Sequence, residues 1–416
     1  MDTKKAAQSI HQDIITWRRE LHKIPEIGFE LEQTSRYIMD CLDQIGIAYR
    51  SAAGTGVVAL IEGGNPGPTL ALRADMDALP ITEETGLPFA SSNGNMHACG
   101  HDAHMAMLLG TAKIIYDLRN QLSGNIKLLF QPGEEGHGGA EQMIADGCME
   151  DPLVDAVTGL HVGQIFPDVK TGQIGICEGP ILAAATAFTV TVKGKGTHGA
   201  LPHLGVDAIT VAAEIILALQ KIISREMDPL NPAVLTVGKI CGGEAYNIVT
   251  PRVTFSGDFR TLYEPDRKFV AARVGEICYS IAKANRAEAE VKILGGYPPT
   301  VNNPDFAKKI IAAASIVIGS DNIVEIKKPN MGTEDMSLYL QKVPGAFFVL
   351  GTGNPGKGIT YPHHNEKFDL DEDTLWIGPA VLCRLALDYL TAPRPKVDKN
   401  LSNGGSNYSS QRNEEG

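Results

Sequence analysis

The chain has 416 residues, a net charge of −12, 43% hydrophobic residues and 21% charged ones, the composition of a soluble globular protein of two or three domains. The acidic balance excludes nucleic acid as the main partner, because phosphate binding wants a basic surface, and no run of ~18 uncharged apolar residues offers a membrane span. MDTKKAAQSIHQDI lacks the apolar core and small-residue cleavage site of a secretory signal, and seven loosely spaced cysteines suggest reduced thiols and a cytoplasmic location.

In chain order, residues 9–25 carry apolar residues at helical spacing and stop at Pro25, and 33–47 read as a second helix. His11 and His22 on the first of these are expected at the surface. GVVALIEG and TLALRADMD read as strands. A helix over 102–118 follows, with Asp102 as its N-cap, then a strand in NIKLLFQP, a helix over 139–147 and a strand in DAVTGLHV. This alternation predicts an α/β domain, a sheet with helices on both faces. Near residue 183 the pattern changes to β-α-β-β-α-β, running from ATAFTVTVKGKG to AEAEVKILGG, the order of a ferredoxin-like α+β unit. After it the α/β character returns, with a helix over 305–319, a strand in GAFFVLGTG and a helix over 373–390. The expected division is a catalytic domain in two parts, 1–182 and 299–392, an inserted unit at 183–298, and a polar tail at 393–416 expected to be disordered.

NMHACGHDAHM concentrates three of the eleven histidines. Cys99 and His101 are two apart, which in an extended loop points both side chains the same way, and Gly100 between them allows positive φ or close approach. Thiolate and imidazole both suit a divalent ion such as zinc, although a bare C-x-H is a weak signal. Glu134 and Glu135 just past one strand, His161 at the end of another, and Asp75 and Asp77 at the end of a third put acids and imidazoles at strand carboxyl ends, where open α/β sheets form sites. Adjacent glutamates can divide the work. One binds metal while the other faces a metal-bound water and takes its proton. The alternative for GEEG is a solvated acidic turn.

RADMDALP, MHACGHDAHMAMLLGTA, LLFQPGEEG, GLHV, KGKGTHGALPH, GDFRT and YPHHNEKFD, in this order, resemble the M20 metallopeptidase family, in its amidohydrolase subgroup. The resemblance implies a hydrolase with two divalent ions (zinc, manganese, cobalt or nickel) and a dimerisation, or lid, domain inserted in the catalytic domain. It implies Cys99, His101, Glu135, His161 and one C-terminal histidine as ligands. Counting back from Phe368 and Asp369 in a His-x-Pro-x-aromatic-Asp pattern selects His364 over His363, with Glu366 standing where the pattern has proline. Glu134 matches the general base, and Asp77 an aspartate that orients a ligand or the base. His198 matches an oxyanion donor of the inserted domain, supplied in relatives by a partner subunit. Asn247 and Arg260 match residues that recognise substrate oxygen and carboxylate. His97 and His104 read as buried neighbours of the ligands and His137 as solvent-facing. Glu334 and Asp335 match a motif near the site, with capping of the following helix by Thr333 and its neighbours as the structural alternative.

The expected reaction is hydrolysis of an N-acyl-L-amino acid by a homodimer or dimer-based oligomer, with no membrane partner. A carboxypeptidase or dipeptidase acting on short peptides shares the chemistry and differs in pocket size. A metal-binding protein without turnover is disfavoured, because a binding site needs no spare base beside a ligand.

Overall fold

The computed structural model describes residues 1–391, so the tail at 393–416 lies outside the described residues. An additional helix, α1 (Thr3–Ser9), precedes the expected first one, α2 (His11–His22), and α3 (Glu32–Ile45) ends at Gly46 in the left-handed region. Then come β1 (Ala48–Ala52), β2 (Gly56–Glu62), β3 (Asn65–Asp75), α4 (His101–Leu118), β4 (Ser123–Gln131), α5 (Gly139–Ala145), β5 (Ala156–Gly163) and β6 (Ile174–Ile176). β7 (Gly179–Leu182) leads into β8 (Ala184–Lys193), β9 (Thr197–His198), α6 (Ala208–Lys221), β10 (Ala233–Gly242), β11 (Ile248–Val249), β12 (Arg252–Thr261), α7 (Glu264–Ala284) and β13 (Glu288–Ile293). The chain closes with β14 (Thr300–Asn302), α8 (Pro304–Ile318), β15 (Ile323–Glu325), α9 (Met336–Leu340), β16 (Gly345–Gly351) and α10 (Ile377–Thr391).

The main sheet has eight strands in the order β1-β2-β4-β3-β5-β16-β6-β15 and is mixed. Its centre, β4-β3-β5-β16, is parallel, while β1 and β2 pair antiparallel at one side. Side chains one residue apart point to opposite faces, and the core follows that parity. Ile126, Leu128 and Phe130 of β4 join one cluster with residues of α2, α3, α4, α8 and α10. Leu129 faces the other side, packed in a cluster with Met143 of α5 and with Met336 and Tyr339 of α9. Helices therefore cover both faces, and the central strands read as unbroken apolar runs because neither face meets water. α4 lies between the sheet and the outer helices, touching β3, α2 and α10, which explains why it is apolar nearly all round.

A second, four-stranded antiparallel sheet has the order β10-β12-β8-β13. α6 and α7 pack on one of its faces around Phe188, Val190, Phe255 and Phe259, a core separate from that of the main sheet. Among the described residues no helix is long and apolar enough to cross a membrane.

Candidate metal centre

β3, β4 and β5 are parallel neighbours, so their carboxyl ends share one edge of the main sheet. Asp75 closes β3, Glu134 and Glu135 lie just past the end of β4, and His161 is near the end of β5. Cys99 and His101 reach the same edge from the segment before α4. That segment is not an extended loop. The chain turns at Gly100, with φ +82°, and His101 is the first helical residue. A Cβ on Gly100 would lie 2.5 Å from Cγ2 of Val162, so glycine is what lets this turn press against β5.

The five residues implied as ligands converge. Cys99, His101 and His161 bring one donor atom each to within 4.8 Å of one another, and so do Cys99, Glu135 and His364. Cys99 belongs to both sets. Its Sγ lies 3.5 Å from Nε2 of His161, and Nε2 of His364 lies 3.4 Å from Oε1 of Glu135. His101 donates through Nδ1 to the Asp77 carbonyl at 2.7 Å, and His161 through Nδ1 to the Val162 carbonyl at 2.7 Å. In both rings Nε2 is left with a lone pair aimed at the cluster, the usual way a protein orients a ligating imidazole.

Two observations test whether a cation fits. Nε2 of His101 is buried with no hydrogen-bond partner, a rare condition for a polar atom, and it belongs to a donor set. The charges point the same way. Burial, with Glu135, Glu134 and Asp75 nearby, pushes the Cys99 thiol well up, so a thiolate there requires positive charge beside it. Burial, reinforced by His104 and His363, holds His161 well below the usual imidazole range and hence in its neutral, ligating form. The residues present therefore fit divalent cations, and the mix of thiolate, imidazole and carboxylate suits zinc, cobalt, nickel or manganese.

Around the donors the supporting bonds are specific. The Asp77 carboxylate accepts the backbone N–H groups of Glu134 at 2.9 Å and Glu135 at 3.1 Å, which fixes the turn and sends the two side chains apart. Glu134 is 7% exposed. Burial first, then the charges of Glu334, Asp335 and Glu135, push its carboxyl well up, and Arg73 only partly offsets them. Asp75 also lies within 4.8 Å of donor atoms on His101 and His104, but its oxygens already accept from Arg73 and His104. His104 in turn accepts the Val162 N–H at 2.9 Å, so it supports β5. His363 lies against the Val162 carbonyl at 2.9 Å and is in no donor set. His364, with φ +62°, sits in a region that non-glycine residues enter rarely and mostly where function demands it.

These residues open onto a cleft of about 560 Å³ that Arg260 also lines. Arg260 is held by Asp258 at 2.9 Å and by the Met331 carbonyl at 2.8 Å. His198 and Asn247 are not among the cleft's lining residues. They are exposed, His198 on β9 and Asn247 beside β11, on a two-stranded ribbon.

Two sequence expectations are corrected and a third is met in part. His22 is buried rather than on the surface, 1% exposed, between Asp102 at 2.8 Å and Glu83 at 3.2 Å. Asp102 is not an N-cap, because α4 already begins at His101 and Asp102 turns inward to Arg18 and His22. Thr333 makes no cap bond to α9, and the N-cap Asp335 makes none through its side chain, but the neighbouring Glu334 accepts the N–H of Met336, the first residue of α9, at 3.0 Å; Glu334 and Asp335 also bond Arg73 at 2.9 and 2.7 Å. His97 and His104 are buried and His137 is exposed, as expected. Sequence reasoning passed over Arg73 and Tyr297. A lone arginine inside the apolar strand TLALRAD was the available signal for the first. Nothing local marks Tyr297, whose hydroxyl donates to the Glu134 carbonyl at 3.1 Å.

The chain matches peptidase family M20/M25/M40 over residues 71–388. It is 39% identical over 392 residues to thermostable carboxypeptidase 1 of Saccharolobus solfataricus, covering 93% of this chain and 98% of that one. It is 40% identical over 369 residues to the N-acetyl-L-cysteine deacetylase of Bacillus subtilis, covering 88% and 86%. Among solved structures, a Bacillus subtilis protein described as a dinuclear metal-binding peptidase of the M20 family superposes with a TM-score of 0.79 at 32% identity, over 92% of this chain and 99% of that one. The convergent donors, the sheet that carries them and likeness along nearly the whole length agree: the chain belongs to peptidase family M20/M25/M40 and is an amidohydrolase.

Proposed function

We propose that the chain hydrolyses the amide bond of N-acyl-L-amino acids with two divalent cations bound by Cys99, His101, Glu135, His161 and His364, and with Glu134 as general base. The observation that carries this reading is that Cys99 is common to two sets of donor atoms, with the buried carboxyl of Glu134 on the turn beside them. A thiolate shared between two sets is a donor that would help hold both cations. The metals are zinc, manganese, cobalt or nickel. The free thiols of all seven cysteines support a cytoplasmic setting.

Cations held there lower the pKa of a water and polarise the scissile carbonyl. Glu134 takes the proton as the water oxygen bonds to the acyl carbon, and gives it to the nitrogen as the C–N bond breaks, leaving a carboxylic acid and an amino acid. Asp77 keeps Glu134 and Glu135 in separate roles by bonding both of their backbone N–H groups. Arg260, on the cleft wall, holds the α-carboxylate of the amino-acid half, a task for which its planar fork is suited.

We further assign 1–182 and 299–392 to one catalytic domain and 183–298 to an inserted ferredoxin-like domain. The separate core and the β-α-β-β-α-β order of the second sheet support this. His198 and Asn247 then act from a second copy of the chain in a homodimer, His198 as oxyanion donor, a role worth ~3–4 kcal/mol, and Asn247 on the substrate oxygen. Their exposure on a projecting ribbon supports that reading. A carboxypeptidase acting on short peptides is the second reading, favoured by the 39% identity to a thermostable carboxypeptidase.

The test is Glu134→Gln in the metal-loaded enzyme. We expect turnover to fall ~10²–10⁴-fold with metal content unchanged. Full turnover in that variant would overturn the assignment. A panel of N-acetyl, N-benzoyl and dipeptide substrates, read by ninhydrin detection of the freed amine, separates the two substrate classes.

A further inference from the structure

α2 is where the sequence reading placed surface residues, and the structure instead turns its inner face toward the metal centre. Arg18 is 1% exposed. Its guanidinium spreads over three carboxylates: Nε to Asp102 at 3.0 Å, Nη1 to Glu372 at 2.9 Å and Nη2 to Asp369 at 3.1 Å. These belong to two segments far apart in the chain. Asp102 follows His101 directly, at the start of α4. Asp369 closes the segment that begins at His364, whose backbone N–H donates to the Ala98 carbonyl at 2.9 Å.

His22, one turn further along α2, extends the same contact. It bonds Asp102 at 2.8 Å on one side and Glu83 on the other. Glu83 accepts the Ser91 N–H at 2.7 Å, and the neighbouring Glu84 N–H donates to the Glu366 carbonyl at 2.8 Å. Phe89 from that loop covers the guanidinium, with its ring centre 5.3 Å from Cζ of Arg18.

We propose that Arg18 is a positioning residue of the metal centre: its guanidinium ties the segment carrying His101 to the segment carrying His364, so that their donors meet at the shared Cys99. This rests on the two-cation reading above. The argument is one of geometry. His101 and His364 belong to different donor sets, and Arg18 bonds both of their segments at once from outside the donor cluster. A guanidinium can span three carboxylates in fixed directions, whereas a lysine ammonium is a point charge without that fork. The desolvation of so many charges is tolerated only where each is paired and hydrogen-bonded.

Asp369→Asn strips the charge from one arm of the clamp, leaving a neutral amide acceptor there, and keeps Arg18 bonded to Asp102 and Glu372, so it preserves the buried pair. Arg18→Lys keeps the charge and loses the fork. Both are to be purified with metal, and metal content, thermal midpoint and the rate of metal loss to a chromogenic chelator measured. We expect a wild-type thermal midpoint for Asp369→Asn with metal affinity reduced 10–100-fold, the range for residues that orient ligands, and turnover recovered at excess Mn²⁺ or Zn²⁺. Arg18→Lys should show a larger loss of affinity, or fail to fold, in which case Asp369→Asn decides. A wild type that binds two ions, with Asp369→Asn binding them equally tightly, would overturn the clamp alone. A wild type that binds no divalent ion would overturn the two-cation reading and the clamp with it.

Discussion

His22 illustrates how one side chain's surroundings set both its charge and its contribution to stability. Burial alone would lower its pKa, but the hydrogen bonds its ring N–H groups donate to Asp102 and Glu83 outweigh burial and lift it to about 9, against an ordinary value near 6.5. Arg18 opposes this from the same helix and the His97 ring lies 6.4 Å away. A group whose folded pKa is raised gives its full stabilisation below the unfolded value and loses it as pH rises through the folded one. Replacing His22 by Gln should therefore lower the unfolding free energy measured in urea most below pH 6.5, by roughly 3 kcal/mol. The gap to wild type should close between pH 6.5 and 9. A gap independent of pH would mean that His22 contributes only packing. None of this was legible in the sequence. Its place on α2 is set by helical periodicity, but the carboxylates that claim it come from residues 83 and 102, which no local pattern connects. Cys99, His101, Glu134 and Glu135 were marked by residue type at a strand end or a glycine, but each alone was a weak signal. The run of longer motifs around them, through the resemblance they carry, is what joined them into one expected site.

The elements that carry the site work because their ends are fixed relative to one another. β4, β3 and β5 are in parallel register, so the strand-end residues were already aligned once the strands were recognised as neighbours. The long strands and helices were legible from periodicity. α1, β1, β6, β7, β9, β11, β14 and β15 were not, being seven residues or shorter and without the apolar or alternating run that made β2, β13 and β16 readable at similar length. The start of α4 was misread because Asp is a common N-cap, whereas here a left-handed glycine begins the helix one residue earlier and frees Asp102 for Arg18. That turn can be tested through Gly100→Ala. The added methyl meets Val162 Cγ2 at 2.5 Å and must hold φ +82°, so α4 has to move away from β5 or the backbone has to unwind. We expect a loss of ~2–5 kcal/mol in urea unfolding, with metal affinity falling as well because Cys99 and His101 flank the turn. A variant of unchanged stability and metal content would show that the close packing of α4 on β5 is dispensable.

Across the whole molecule the cleft is built by two bodies. The main sheet supplies the donors and the base, while β12 of the second sheet supplies Arg260, which reaches across to the Met331 carbonyl. The connections between them run side by side, since the Ala185 N–H donates to the Tyr297 carbonyl at 3.2 Å and the Tyr297 hydroxyl bonds the turn that carries Glu134. Arg260 therefore has two possible jobs, a tie between the bodies and an anchor for substrate carboxylate, and these predict different kinetics. If it anchors substrate, Arg260→Gln should cost ~1.5–3 kcal/mol of charge-assisted hydrogen bonding, about 10–100-fold in kcat/KM, for an N-acyl amino acid. The same variant should leave the matching carboxamide nearly unaffected, because the wild-type enzyme never gained that interaction with it. The preference of wild type for the free acid should then shrink toward parity. If it only ties the bodies together, acid and carboxamide should lose activity by the same factor, and the loss should follow the fall in thermal midpoint. The ratio of the two substrates in one variant separates the roles, because a general loosening of the fold cannot tell a carboxylate from an amide.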